Sequence, residues 1–583
     1  MAETLISPGV LTRENDISFI SPAPIVAGAA IIGPTVKGPV EIPTLVTSYS
    51  DYINTFGTTF ESGSTSQEFL TSISVKNYFQ QGGETVLVTR VVSGSFTSAD
   101  SSRIRASHYT GSASFSLKTI GKGVIFNNAT GSLDPGLHNT DGSLVSGSVN
   151  NLRWEVTNVN NAKGTFTLLV RRGDDSTRNK IILETWTNLS LDPESENYIE
   201  KVIGNTVQNV NVGESQYFVQ SSGSFPNRSR YVYVSDVNRP TYDYLANDGI
   251  SVNTDSTGVS YSGSLPVPAS GSFYNATGNI VHPGANNYFE NIGTVTQGLT
   301  AANYDKVINL LANKDEYIFN VISAPGLVGS IGAHYTRLND IVSMVESRGD
   351  AIAVIDLVPY ATTISNVAAE AENFNTSYGA AYWPWLQVRS ETGKNVFVPA
   401  SVVIPGVYAF TDRSSAPWFA PAGLIRGGIP GVIQAERKLT KDNRDTLYDS
   451  NVNPIATFPG TGIAVFGQKT LQTKASALDR VNVRRLLIEL KKFFSDQARN
   501  LVFEQNTIAT RAAFLSVVTP YMESVVQRQG LYAFRIVMDE TNNTNDVIDR
   551  NQLVGQIFIQ PAKTAEFIIL DFTVEPTGAT FVA

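Results

Sequence analysis

The sequence of 583 residues contains no cysteine. Disulfides, thiolate zinc sites and cysteine nucleophiles are therefore excluded. Only four histidines occur, at His108, His138, His282 and His334, and none of them has the close spacing of a metal-binding pair. No Ser-His-Asp set or pair of carboxylates can be named. We therefore expect a protein that is not an enzyme and that has no catalytic residue, cofactor or bound metal.

Charged residues are also scarce. They make up 16% of the chain, against 42% hydrophobic residues. So few charges suit a protein that buries much of its surface against neighbours, or a β-rich protein whose surface is Ser, Thr, Asn and Gly, and composition does not separate the two. The formal net charge of −9 differs from the basic footprint of a nucleic-acid binder, so no nucleic-acid partner is expected.

Long apolar runs are missing as well. The longest one near the start, residues 22–34, is too short for a membrane span and is bounded by prolines. The first seven residues have no basic segment, so no secretory signal is expected. The sequence predicts a protein that is made and used in the cytoplasm, or released by lysis, without membrane insertion.

The composition and the pattern of apolar residues change along the chain. Residues 23–93 and 300–470 alternate apolar strands with amphipathic helices, which predicts a discontinuous α/β core with helices packed on a mixed sheet. Residues 94–299 are rich in Ser, Thr, Asn and Gly and contain short strand candidates, which predicts a large β-rich insertion of one or two subdomains. The predicted fold is a multidomain α/β (α+β) protein with a C-terminal α+β domain and extended terminal arms.

Residues 471–563 form the predicted C-terminal domain. Helices are expected at 476–503 and 507–527, followed by strands at 531–538 and 555–560. The first helix carries a line of basic residues about one helical face apart. They favour docking onto an acidic protein surface or, at least as well, a solvated helix face: Arg480, Arg484, Arg485, Lys491 and Lys492.

Both ends of the chain contain a short strand candidate. The N-terminal arm, residues 1–22, holds Val10, Leu11, Thr12, Arg13 and Glu14, and so short a piece cannot bury itself. The C-terminal segment, residues 564–583, alternates so that one face carries Ile568, Leu570, Phe572 and Val574. Each segment either stays with its own chain, as a frayed end or an edge strand, or completes the sheet of a neighbouring chain.

Two glycine motifs resemble nucleotide-binding loops only superficially. Gly326, Gly329 and Gly332 have the spacing GxxGxxG rather than GxGxxG, which favours an ordinary strand-to-helix turn. In residues 462–470, Gln468 separates the second glycine from Lys469, and the residues before it are apolar. This second motif is therefore predicted to be a structural strand.

Several ordered blocks resemble the contractile tail sheath proteins of myovirus-type bacteriophages. They are SPGV at residues 7–10, IGPTVKGP at 32–39, FG at 56–57, YFQQGG at 78–83, VTRV at 88–91, RGGIPG at 426–431, NPI at 453–455, residues 462–471 and DRVNVRRL at 479–486. Their shared order, from residue 7 to about residue 575, carries the resemblance. Residues 94–299 match least, apart from ETWTNLS at 184–190.

The resemblance implies a structural subunit that stacks as six-fold rings around a tail tube and contracts to drive the tube through the host envelope during genome delivery. The implied partners are other copies of the chain, the tail tube protein, and baseplate and tail terminator proteins. The implied location is the virion tail, after assembly in the host cytoplasm.

The resemblance also implies an orientation. Residues 471–563 would face the tube, with the basic helix residues as tube contacts, and residues 94–299 would face outward. The two terminal arms would add strands to neighbouring subunits. The sheath of a phage-like secretion or toxin-delivery machine and another virion assembly protein remain alternatives. An enzyme built on the α/β core is a further alternative, which would need a polar pocket with perturbed titratable groups.

Overall fold

The computed structural model describes residues 25–566, apart from residues 63–64, 102–103, 109–112, 129–142, 214–216, 281–287 and 461. The predicted strand at residues 10–14 and the alternating residues 568–574 lie outside the described residues. The domain limits proposed from the sequence stay predictions, and the elements are described below as they occur.

An eight-stranded sheet forms the centre of the molecule. Its strands lie in the order Thr44–Val46, Val86–Arg90, Ile25–Gly33, Tyr317–Val328, Ile352–Asp356, Gly379–Trp383, Val452–Phe458 and Gly462–Val465. The six inner strands are parallel and the two outer strands are antiparallel to their neighbours. The sheet therefore joins parts of the chain that precede and follow residues 94–299.

Both faces of this sheet are buried, which explains the continuous apolar runs in its strands. Alternate residues point to opposite faces: Val86 and Val88 pack in one cluster, whereas Leu87 packs in the other. One face is covered by the helices Asp305–Leu311, Gly332–Arg348, Ile364–Ala371 and Lys441–Asp449. The other face is covered by Tyr49–Phe56, Leu70–Gln80, Ile404–Ser414 and the start of Val481–Arg499.

The β-rich insertion has its own hydrophobic core. One sheet contains the strands Ile182–Ser190, Thr165–Arg172, Leu152–Asn160 and Ala269–Ser272, and a second contains Val232–Asp236, Ala113–Lys122, Ser98–Asp100 and Ile104–Arg105. A separate two-stranded sheet pairs Val207–Val212 with Tyr217–Ser222, and a short helix spans Ile199–Ile203.

Smaller elements lie around the central sheet. Leu386–Arg389, Asn395–Val398 and Val432–Ala435 form a three-stranded sheet, Thr59–Ser62 pairs with Thr65–Glu68, Val295–Thr296 pairs with Leu299–Thr300, and Gly423–Arg426 is a short helix. The helix Leu70–Gln80 begins directly after the strand Thr65–Glu68 and the single residue Phe69.

The C-terminal part contains the helices Val481–Arg499 and Ile508–Gln527 and an antiparallel ribbon of two strands, Leu531–Val537 and Gln556–Pro561. The helix Asn545–Asp549 lies between those strands. The first long helix is shorter than predicted at both ends. Residues 477–479 form a 3₁₀ turn instead, because the Ser476 side chain accepts a hydrogen bond from the Leu478 N–H.

The predicted fold class, a mixed α/β chain of several parts, is confirmed. The two glycine motifs are structural: Gly326 lies inside the strand Tyr317–Val328, and residues 462–465 form a strand paired with Val452–Phe458. His334 is buried, and its Nδ1 accepts a hydrogen bond from the Val328 N–H, as a packing residue does.

Candidate assembly surfaces

The central sheet has a switch point at which an α/β protein usually binds its ligand. It lies where the strand order reverses, between the carboxyl ends of Ile25–Gly33 and Tyr317–Val328. Here the buried Gln297 Oε1 accepts a hydrogen bond from the Leu70 N–H at 2.7 Å, and its Nε2 donates to the Pro325 carbonyl at 3.3 Å. A side-chain amide thus occupies the helix N-terminus that a phosphate would use.

The described ranges also bear on metal binding and on membrane insertion. No three His, Asp or Glu side chains there are grouped so that they could hold a metal ion. Among the helices of the same ranges, none combines the length and apolarity needed to cross a bilayer. The candidate functional features in the described ranges are exposed surfaces and hydrogen-bonded contacts that join separate segments of the chain.

The basic residues of the helix Val481–Arg499 do not share one environment. Arg484 and Arg485 are 4% and 3% exposed. This corrects the expectation that they lie on a solvated face. The helix packs its first two turns against the central sheet, so these side chains point into the protein and find partners within their own chain.

Arg485 fastens this helix to the helix Ile404–Ser414. Its guanidinium donates to both carboxylate oxygens of Asp412, at 2.8 and 2.5 Å, and lies 4.6 Å from the centre of the Tyr408 ring. Burial alone would lower the pKa of Arg485, but Asp412 outweighs burial and raises it. This ion pair keeps the buried Arg485 charged, and together with the contact to the Tyr408 ring it holds the two helices against each other.

Arg484 fastens the same helix to the segment before the strand Gly379–Trp383. Its Nε donates to the Ser377 carbonyl at 3.2 Å, it also hydrogen bonds to the Ser377 hydroxyl, and it stacks 4.0 Å from the centre of the Tyr378 ring. Burial lowers the pKa of Arg484. In the described structure, Arg484 and Arg485 therefore connect the helix Val481–Arg499 to other segments of the same chain.

The remaining three basic residues are more accessible. Lys491 is exposed and its Nζ donates to the Tyr378 hydroxyl at 3.2 Å, Lys492 is partly exposed, and Arg480 is partly buried. The tube contact predicted for this helix thus depends on Lys491 and Lys492, and it stays a prediction.

Arg480 takes part in an anchor for the last described residues. The Glu566 carboxylate accepts hydrogen bonds from Arg480 Nε at 2.8 Å, Gln468 Nε2 at 3.0 Å and the Tyr448 hydroxyl at 2.7 Å. Gln468 also donates to the Thr564 hydroxyl at 2.6 Å. Burial alone would raise the pKa of Glu566, but these hydrogen bonds hold it below its usual value. The start of the C-terminal segment is thereby fixed to the protein.

The two-stranded ribbon is a second surface feature. In the described residues each of its strands pairs only with the other, so each has one edge with unpaired backbone groups. One side packs on the two C-terminal helices through Leu531, Phe534 and Ile559. The other side exposes Tyr532 and Phe558 by 65% and 55%. Such a ribbon is marginal alone and presents edges that accept further strands.

Sequence patterns did not indicate these features. Glu566 is one acidic residue among many, and its three partners come from three other parts of the chain. Apolar residues at adjacent positions of the strand Gln556–Pro561 were the one available signal, because two apolar faces in a strand require two covering surfaces.

Two family models match the chain. Residues 297–471 match the phage tail sheath protein central domain, and residues 473–575 match the phage tail sheath C-terminal domain. The first model covers five of the eight strands of the central sheet, and the second covers the helix pair and the ribbon.

Similar proteins point the same way. The tail sheath protein of Vibrio phage KVP40 is 39% identical over 41% of this chain and 36% of its own length. The tail sheath protein of Enterobacteria phage T4 is 30% identical over 50% of this chain and 48% of its own length. The chain thus matches less than half the length of each of these relatives.

A solved structure shares the fold. The sheath tail protein Lin1278 from Listeria innocua is 11% identical, with a TM-score of 0.51 over 92% of this chain and 95% of that one. At this identity the similarity concerns the fold alone. The two matched domains and the named relatives confirm the resemblance to phage tail sheath proteins, with a match to the central domain at residues 297–471 and to the C-terminal domain at residues 473–575.

Proposed function

We propose that this chain is the structural subunit of a contractile phage tail sheath. The observation that carries the proposal is the match of residues 297–575 to the two sheath domains. Copies of the chain stack as six-fold rings around the tail tube, and the stack shortens to drive the tube through the host envelope. The subunit has no enzymatic role and needs no cofactor.

Strand exchange between copies is the proposed means of assembly. The two open edges of the ribbon and its exposed Tyr532 and Phe558 support it as the acceptor. The donors are the arms predicted from the sequence, with Val10–Glu14 at one end and Ile568, Leu570, Phe572 and Val574 at the other. Backbone hydrogen bonds would hold the donor strand and alternate side chains would cover the apolar face.

The anchor at Glu566 supports a defined starting point for the C-terminal donor. Four hydrogen bonds from the side chains of Tyr448, Gln468 and Arg480 fix residues 564 and 566 to the protein, so a donor strand that follows them would start from a set position. A donor strand that starts from a fixed point loses less conformational freedom on binding than one on a loose tether.

The proposed partners follow from the same arrangement. Other copies of the chain are the main partner, the tail tube protein contacts the C-terminal domain, and baseplate and terminator proteins close the two ends of the stack. The protein is then part of the virion tail, assembled in the host cytoplasm. The curated relatives are phage proteins, which favours a phage tail over a phage-like injection machine.

Electron microscopy of the purified chain tests the function. We expect the intact chain to form hollow cylinders of stacked rings, and the chain truncated after Glu566 to stay monomeric with an unchanged circular dichroism spectrum. Long cylinders from the truncated chain would contradict strand donation by the C-terminal segment. The absence of any ordered polymer from the intact chain, alone or with its tube, would contradict the sheath function.

A second variant tests the acceptor ribbon. Tyr532→Asp with Phe558→Asp places charge on the proposed contact face without altering a buried side chain, so we expect a folded monomer that does not polymerise. Tyr242→Asp is the matched control, because Tyr242 is 57% exposed on the insertion. Normal cylinders from the double variant would show that this face is not used.

A further inference from the structure

A small cavity lies where the insertion meets the core. Its volume is about 90 Å³, and it is lined on the core side by Lys37, Asn54 and Thr58 and on the insertion side by Asn150, Arg172 and Tyr231. This is room for several water molecules. The polar part of the lining combines two cations with amide and hydroxyl groups, all of which can donate hydrogen bonds.

Lys37 is the unusual member of this lining. Its side chain is buried, with 7% of the residue exposed, and in the described part of the chain no carboxylate pairs with its ammonium group. The charge that acts on Lys37 is that of Arg172, a second cation. Burial first, and then Arg172, lowers the pKa of Lys37 to about 8. An isolated buried ammonium beside another cation is costly unless an anion joins them.

The nearby acidic groups already have partners. Asp174 accepts from Arg172 Nε at 2.5 Å and from its NH2 group at 3.0 Å, and Asp51 accepts from Arg230 at 2.8 Å. Glu184 accepts hydrogen bonds from Ser229 and from the Arg230 N–H. Asp174 thus pairs with the Nε and NH2 groups of Arg172. Among the described residues no carboxylate is left for the Lys37 ammonium, which could be neutralised by an anion bound in the cavity.

We propose that this cavity binds a small inorganic oxyanion, such as phosphate or sulfate, between Lys37 and Arg172. The anion would accept hydrogen bonds from the two cations and from the Asn54 and Asn150 amides. Because these groups come from both the core and the insertion, the bound anion stabilises the docking of the insertion onto the core. A small ion is the proposed ligand because the site offers two cations close together in a small cavity.

Equilibrium dialysis of the full chain with labelled inorganic phosphate, at fixed ionic strength set with chloride, tests the proposal. We expect one phosphate per chain, at least tenfold weaker binding in Lys37→Met, and a smaller loss in Arg172→Gln. Lys163→Met is the matched control, because Lys163 is exposed on a turn of the insertion, and it should bind as the unaltered chain does. No phosphate bound, or equal binding by Lys37→Met, would overturn the site.

Thermal melting in different salts distinguishes an anion-binding lysine from a lysine that has only a structural role. In chloride, Lys37→Met should melt at or above the unaltered chain, because it removes an unpaired buried charge. In phosphate or sulfate the order should reverse, because only the unaltered chain gains from the ligand. Sulfate binding should weaken as the pH rises through about 8, since Lys37 then loses its proton. Stronger competition by a nucleotide than by phosphate would contradict a small-ion site.

Discussion

The Arg480 Nε and the Glu566 carboxylate meet at 2.8 Å although the two residues are 86 positions apart in the sequence. Arg480 precedes the first helix of the C-terminal domain, and Glu566 is the last described residue. The contact therefore joins the residue before the first C-terminal helix to a residue that follows the two-stranded ribbon.

Glu566→Gln should loosen this contact. The amide keeps the shape but loses the charge that Arg480, Tyr448 and Gln468 hydrogen bond to, and we expect a cost of about 1–3 kcal/mol in the free energy of unfolding, as for hydrogen bonds to charged groups. Faster proteolysis near residue 566 would report the loss. The exposed Glu540→Gln is the matched control, and equal proteolysis of both variants would contradict the anchor.

The same carboxylate should make stability depend on pH. The pKa of Glu566 is lower in the folded protein than its ordinary 4.5, so the unfolded chain binds the proton more readily. Its stabilisation is complete above pH about 4.5 and is lost as the pH falls through the lower folded pKa. Urea unfolding between pH 6 and pH 3 should show a steeper loss for the unaltered chain than for Glu566→Gln.

Arg485→Met should weaken the attachment of the C-terminal helix. Loss of one member of a buried ion pair costs about 3–5 kcal/mol, but Asp412 is 30% exposed and water can solvate it, so we expect about 2 kcal/mol. Urea unfolding followed by tryptophan fluorescence measures the change. Lys492→Met on the same helix should change stability by less than about 0.5 kcal/mol. Equal effects would show that the Asp412 pair is unimportant.

Asp356→Asn should remove the loss of stability that Asp356 causes in the central sheet as the pH rises. Asp356 is buried at the end of a strand and accepts hydrogen bonds from the Ser401 N–H and hydroxyl. Burial raises its pKa from 3.8 to about 7, although the Ser401 hydrogen bonds act in the opposite direction. Between these values the folded chain keeps a proton that the unfolded chain releases, so stability falls as the pH rises.

The Asn variant has no such proton. Its stability relative to the unaltered chain should therefore improve between pH 4 and pH 8, on the order of 1.4 kcal/mol for each unit of pKa shift. Chemical unfolding at the two pH values measures this, with the exposed Asp445→Asn as the control. A relative stability that does not change with pH would contradict a shifted Asp356.

Lys491→Glu with Lys492→Glu tests the proposed tube contact without disturbing the buried arginines. If the helix faces an acidic tube, this double variant should bind tubes more weakly than the unaltered chain at low salt, and the difference should shrink as salt screens the charges. Co-sedimentation with purified tubes measures binding, and Lys314→Glu, an exposed site elsewhere, is the control. Unchanged binding would leave both lysines as solvated residues.

The sequence was informative about elements and weak about partners. The periodicity of residues 476–503 predicted a helix and its apolar side, because both depend on local spacing. It could not show that Arg484 and Arg485 turn inward, since their partners Ser377, Tyr378 and Asp412 lie 70 residues or more away. Burial of a charge is decided by tertiary contacts that the pattern of one helix does not contain.

The glycine motifs show the opposite case. The spacing of Gly326, Gly329 and Gly332 was enough to reject a dinucleotide loop, because that loop requires a fixed backbone geometry. What the sequence could not reveal was Gln297, whose side chain accepts a hydrogen bond at the N-terminus of a different helix, Leu70–Gln80.

The inward-facing arginines have a mechanical consequence. Arg485 links the C-terminal helix to a neighbouring helix, and Arg484 links it to the segment leading into the large sheet. A force applied to that helix is therefore transmitted directly to the central sheet and its covering helix. In a polymer under load, we expect the subunit to move as one rigid body. The structural changes should then occur at the contacts between neighbouring copies.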